Sequence, residues 1–246
     1  MKPVIPKQHG AWAMLLIPFL LSALIGKATW QHIPLFLAWL FVYLATYPFL
    51  MYMKQKRQKR QKRQKHYLHW TLIYFSLAIL FGIVPLTYEW RILFFAIYML
   101  PLFFVNIFFA CQKNERALLN DVSAIIVFCI GGMISYYFTM KTIDETAWLI
   151  ALVSFLYFLG STFYVKTMIR EKKNPTYRWI SWGYHLLLVV GTFIVSPWFV
   201  ITFIPSCIRA IVLYGKKVTV LKVGVWEIVN SVYFFIATTI LFQLKG

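Results

Sequence analysis

Residues 179–214 read WISWGYHLLLVVGTFIVSPWFVITFIPSCIRAIVLY, and the way this stretch divides sets the parity of the whole chain. It is too long and too apolar for a single crossing, because a helix spans about 30 Å of hydrocarbon with roughly 20 apolar residues. Ser196 and Pro197 interrupt it with turn chemistry, which predicts two runs, Trp179 to Val195 and Trp198 to Tyr214. Outward from there the chain holds further apolar runs at Trp12 to Gly26, Ile33 to Met53, Tyr67 to Leu86, Ile92 to Ala110, Val122 to Met140, Ala147 to Val165 and Val223 to Leu244. A merged 179–214 stretch would leave eight crossings rather than nine.

The placement of charge chooses between these counts. Lys and Arg are retained on the cytoplasmic side of short loops. With the N-terminus inside and nine spans, the inner segments hold Lys2, Lys7, the eight bases of 54–65, Lys113, Arg116, the five bases of 166–178, Arg209, Lys216, Lys217 and Lys222. The outer segments hold only Lys27, Arg91, Lys141 and Lys245, so 21 of the 25 bases fall inside. A miscounted span would destroy that alternation. Composition agrees: 61% of the 246 residues are hydrophobic and 13% are charged, with mean hydropathy +0.70, where a soluble domain carries about 25% charged residues. The expected fold is all-α, a polytopic transmembrane helix bundle of nine spans, N-in and C-out, forming a single transmembrane domain over residues 1–246. A net charge of +18 would suggest nucleic acid on a soluble surface; here it reads as topology, and no nucleic-acid partner is expected.

Cys111, Cys129 and Cys207 have no C-x-x-C spacing, which argues against a disulfide framework or a zinc site. The first run lacks a small-residue cleavage site and is expected to be retained. Pro18, Pro48, Pro101 and Pro205 fall within runs, where each removes a helical hydrogen bond. Gly131, Gly132 and Ser135, and Gly10 with Ala13, offer small surfaces for helix contact. Trp30, Trp70, Trp90, Trp148, Trp179 and Trp198 mark expected interface levels. Residues 54–65 read KQKRQKRQKRQK, a basic cytoplasmic loop that favours the chain's own anionic lipid surface.

The carboxylates are scarcer and more informative. Of seven, Glu89, Asp144 and Glu145 fall in outer loops, while Glu115, Asp121, Glu171 and Glu227 map to cytoplasmic helix ends. If 113–121 is helical, Asn114 and Asp121 share a face, as do Arg116 and Asn120. Lys166 and Arg170, one turn apart, could grip a phosphate. Glu227, Asn230 and Ser231 lie at i, i+3 and i+4 in an otherwise apolar helix, where an ionisable group is expensive. Gly10 would allow close approach to His9. Each has an ordinary use as well: bases snorkel, Asn120 and Asp121 could cap the fifth helix, and Glu227 could pair with Arg209 or Arg116.

The chain resembles the YwiC-like family of bacterial integral membrane proteins through Pro6-Lys7-Gln8-His9-Gly10-Ala11-Trp12-Ala13-Met14-Leu15-Leu16, Asn114 to Asp121, Tyr164 to Glu171 and Val223 to Ile228. That resemblance implies a multi-pass protein of the bacterial cytoplasmic membrane and carries no reaction. A weaker, fold-level similarity is to the UbiA-type intramembrane prenyltransferases, which hold magnesium with two aspartate-rich motifs. This chain departs from them, with Ala45-Thr46-Tyr47-Pro48 after its second span and only Glu171 in the sixth-to-seventh loop. Magnesium is the metal that such carboxylates would take.

The expected function is binding or transfer of an anionic isoprenoid or lipid phosphate at a cytoplasmic-side polar cavity. Glu115, Asp121, Glu171 and Glu227 would carry the proton or metal chemistry. His9, Asn114, Arg116, Asn120, Lys166, Arg170, Arg209 and Asn230 would hold the substrate. A membrane assembly or scaffolding protein and a small-solute transporter are the competing expectations.

Overall fold

A computed structural model describes residues 2–6, 9–59, 61–216 and 218–245, without the side chains of His9, Gln61, Lys62 and Lys245. The expectations placed on Lys7, Gln8, Arg60, Lys217 and the His9 side chain lie outside the described residues. Among the rest, nine α-helices and no strand are found: α1 His9–Ile25, α2 His32–Arg57, α3 Gln61–Tyr88, α4 Phe94–Cys111, α5 Leu118–Met140, α6 Glu145–Val165, α7 Pro175–Val195, α8 Val200–Val212 and α9 Val220–Lys245. Each expected apolar run became one helix. Seven helices are long and apolar enough to cross a membrane, whereas Gly10–Ile25 and Pro197–Val212 are shorter apolar helices. The break at 196–197 is real: Ser196 is extended, and Pro197 opens a 3-10 turn that leads into α8.

The fold class is therefore an all-α bundle of membrane character. Its outer surface is apolar, with Ile97, Tyr98 and Phe104 of α4 more than 60% exposed, a cost that water would not permit and lipid does. Trp30, Trp90, Trp148, Trp179 and Trp198 are all exposed. The expected prolines lie inside α1, α2, α4 and α8. Helices extend into the basic tract from both sides, since α2 runs to Arg57 and α3 begins at Gln61.

The chain forms two compact units. The first comprises Met1–Gln8 and Pro18–Ala151. In it α2 packs on α3 and α4, and α4 packs on α5. Close approach there depends on small residues, as expected where lipid competes equally for apolar surface. A Cβ on Gly131 would lie 2.5 Å from the Trp39 ring, and one on Gly132 would lie 2.8 Å from the Pro18 carbonyl oxygen. Ser135 then donates to the Phe19 carbonyl at 3.0 Å, and Thr139 donates to the Gly26 carbonyl at 2.6 Å. Thr29 N–H donates to His32 Nδ1 at 3.1 Å, which leaves Nε2–H to donate to the Ser135 carbonyl at 3.1 Å. Gly10 behaves otherwise: a Cβ there would meet no described atom within 4 Å, so the expected close contact at Gly10 is not found.

The second unit comprises His9–Ile17 and Leu152–Gly246. Here α8 packs on both α7 and α9, around Tyr164, Met168, Ala210 and Val223. After α6 the helix widens into a π turn over Lys166–Arg170, closed by Glu171 N–H to the Lys166 carbonyl at 2.7 Å. Thr167 holds it by donating to the carbonyls of Phe163 and Tyr177.

Candidate functional site

A buried ion pair lies in the second unit. Glu227 on α9 and Arg209 on α8 form an ion pair, their side chains only 8% and 5% exposed. The Glu227 carboxylate also accepts from the Ser161 hydroxyl of α6. The Arg209 guanidinium lies over the Tyr164 ring at 4.1 Å, an attraction that a dry setting strengthens. One turn further along α9, Asn230 donates to the Tyr157 hydroxyl and to Ser206 Oγ, both at 2.8 Å, and Ser231 meets the Tyr157 hydroxyl at 3.1 Å. Polar side chains thus bridge α6, α8 and α9.

Two features mark this network as more than packing. Arg209 bonds Glu227 through Nη1, while Nε and Nη2 have no hydrogen-bond partner among the described residues. Those two nitrogens form one edge of the guanidinium, the edge that grips two oxygens of a phosphate or carboxylate side-on. On α7, His185 donates from Nδ1 to the Ser181 carbonyl at 2.7 Å, and its buried Nε2 has no partner among the described residues. Buried polar atoms of this kind call for a ligand or water, because leaving them bare costs about 1–3 kcal/mol each.

The first unit gathers a different set. Glu115 pairs with Lys54 of α2, with side chains 31% and 22% exposed. Asn120 donates to the Glu115 carbonyl at 2.8 Å, and Asn106 of α4 donates to Asn120 Oδ1 at 3.0 Å and to Ser123 Oγ at 2.6 Å. Residues 112–117 are turns and irregular chain rather than helix, so the face-sharing expected for Asn114 with Asp121 and for Arg116 with Asn120 is overturned. The physical reason is a Schellman closure of α4: Lys113 adopts φ +60°, its N–H bonding the Ala110 carbonyl, while Asn114 N–H bonds the Phe109 carbonyl. Asn120 and Asp121 do not cap α5 either. Ala117 holds the N-cap position, and Asp121 sits in the first turn, where its charge suits the helix dipole.

Of the remaining expected residues, Glu171 accepts from Asn174 at 3.2 Å. Lys166 is buried at 4% exposure and Arg170 is exposed, so the π turn places the two bases in unlike surroundings; both are engaged by neighbours, as are Arg116 and Asp121. Glu227, Arg209 and Asn230 are brought together. Their partners Tyr157, Ser161, Tyr164 and Ser206 escaped the sequence reading, although 157, 161 and 164 recur at helical spacing on α6. Among the described residues, no three His, Cys, Asp or Glu side chains converge closely enough to hold a metal ion.

Outside the spans, Glu89 is 8% exposed. Its hydrogen bond from Lys141 at 2.9 Å, outweighing burial and aided by Arg91 N–H at 3.2 Å, holds its carboxyl below the usual range.

An apolar all-α bundle with seven helices long enough to cross a membrane has the build of a polytopic membrane protein. The profile of the YwiC-like protein family matches residues 5–136. The chain is 45% identical over 243 residues to a Bacillus subtilis (strain 168) protein described as "Uncharacterized protein YwiC", covering 98% of this chain and 99% of that one. It is 42% identical over 238 residues to an "Uncharacterized protein" of Haemophilus influenzae (strain ATCC 51907 / DSM 11121 / KW20 / Rd), covering 96% and 97%. No solved structure matches. The chain belongs to the YwiC-like family.

Proposed function

We propose that this protein sits in the bacterial cytoplasmic membrane with its N-terminus inside and holds the anionic head of an isoprenoid or lipid phosphate at the Arg209–Glu227 network. The observation that carries this reading is the Nε/Nη2 edge of Arg209, a residue only 6% exposed, which has no hydrogen-bond partner among the described residues. Depth supports it as well. Glu227 follows Val220 by seven residues, about 10 Å along α9 at ~1.5 Å per residue, which suits a head group drawn just below the membrane surface. By charge count the α8–α9 turn is cytoplasmic. The Arg209–Glu227 pair is neutral, so an entering monoanion leaves the network one charge negative unless a proton accompanies it. Glu227 is the group placed to take that proton, with Ser161, Tyr157 and Tyr164 around it. The same charge balance favours a second reading, proton-coupled movement of the anion across the membrane.

The test is native mass spectrometry of the purified full chain titrated with farnesyl monophosphate. The comparison is Arg209→Gln with Glu227→Gln, which removes both charges and keeps the volume. Saturable binding by the wild type, lost in a double variant that still unfolds cooperatively, is expected. Equal binding by both proteins, or none by the wild type, overturns the reading. Loss of a co-purifying protein from the double variant, with lipid content unchanged, would overturn it in favour of an assembly role.

A further inference from the structure

The second unit carries another cation, Arg178, which makes no ion pair with a carboxylate among the described residues. Asn174 caps α7 by accepting from Thr176 N–H at 3.1 Å, and Pro175 takes the first helical position. Arg178 follows in the first turn, half-buried. Its guanidinium carbon lies 4.7 Å from the Trp179 ring centroid, 5.5 Å from that of Trp182 and 5.4 Å from that of Tyr214. The rings are themselves fixed. Trp182 donates its indole N–H to the Ala210 carbonyl at 3.1 Å and meets Trp179 and Tyr214 edge-on at 5.6 and 5.5 Å.

Ring faces attract the flat side of a guanidinium and leave its in-plane N–H donors for other partners. Arg178 Nε is buried and bonded to nothing among the described residues. The carboxylates of this unit are Glu171 and Glu227; Glu171 accepts from Asn174, and Glu227 is held by Arg209 and Ser161. Trp179 is 61% exposed at the start of an apolar helix, the level at which indoles meet phospholipid head groups. Lys172, Lys173 and Lys216 are exposed on the flanking segments and raise the local potential.

We propose that Arg178, clamped by Trp179, Trp182 and Tyr214, binds the phosphate of an anionic phospholipid. This site uses side chains other than those of the Arg209–Glu227 network and stands independently of the reading above. The phosphate oxygens take the in-plane donors, the glycerol lies against the exposed indole, and the acyl chains continue along the apolar outer face of α7, where Leu187, Ile194 and Val195 are exposed.

The experiment is native mass spectrometry of the full chain in detergent, titrated in parallel with phosphatidylglycerol, phosphatidylcholine and glycerol phosphate. The wild type should retain phosphatidylglycerol about fivefold better than phosphatidylcholine, as expected of one base at the membrane surface. Arg178→Ala should clearly lower that preference while farnesyl monophosphate binding is unchanged. Arg178→Lys should restore only part of it, because an ammonium lacks the flat, forked donor set, and it serves as the deciding variant if Arg178→Ala unfolds. An unchanged preference in the folded variants, or glycerol phosphate competing as well as the intact lipid, overturns the proposal.

Discussion

The Lys54–Glu115 pair of the first unit and the Arg209–Glu227 pair of the second are the same chemistry in different surroundings. The former keeps side chains 22% and 31% exposed, the latter 5% and 8%. A half-exposed pair contributes about 0–1 kcal/mol, since water screens it and both chains lose freedom in holding it. A buried pair gains more from attraction but has to offset the loss of hydration of both ions, so its removal as a whole is nearly neutral and its disruption is severe. The first unit depends instead on shape, with Gly131 and Gly132 letting Trp39 and Pro18 come close. One region is held by the absence of side chains, the other by charges that cannot be separated.

The largest effect should therefore come from breaking the deep pair on one side. Arg209→Met leaves the Glu227 carboxylate buried and uncompensated, and thermal unfolding in detergent should report a loss of about 3–5 kcal/mol. Adding Glu227→Leu should recover most of it; a single variant as stable as wild type would erase the contrast between the units. Next comes Gly132→Ala, whose Cβ would press on the Pro18 backbone and should cost about 1–3 kcal/mol by overpacking. Gly10→Ala, facing open space, is its neutral control.

Glu89 gives a smaller effect that depends on pH. Its folded pKa is depressed, chiefly by the hydrogen bond from Lys141, so its contribution is present above the unfolded carboxylate value and is lost as pH falls through the lower folded value. Melting temperature should decline across that acid window, and Glu89→Gln should flatten the decline. A decline of the same size in the variant would assign it to other groups. The smallest change belongs to Lys54→Ala, below about 1 kcal/mol and shrinking further in high salt. A loss as large as that from Arg209→Met would show that the exposed pair is buried in solution.

The helices were legible in advance because hydropathy summed over some twenty residues is insensitive to detail. Even the division at Ser196 and Pro197 could be read, since proline lacks the N–H that a continuous helix requires. The turn at Lys113 could not, because a left-handed closing residue is usually glycine and here is lysine. Nor could the π turn at Lys166–Arg170, where one added residue per turn leaves hydropathy untouched and changes which bases are buried. For Glu227 the sequence offered two candidate partners, Arg209 and Arg116; the folded chain chose Arg209. The aromatic clamp on Arg178 went unseen because Tyr214 comes from another helix end.

From the sequence alone it follows that this is a multi-pass helical membrane protein of the YwiC-like family, since transfer into lipid is a sum over neighbouring residues and needs no knowledge of what packs where. Which polar groups meet was settled only by the tertiary structure. Arg209 and Glu227 are 18 residues apart, and Ser161 and Glu227 are 66 apart. Contacts of that kind depend on how whole helices rotate and tilt against one another, and a difference of one turn would move a buried charge from its partner to bare hydrocarbon.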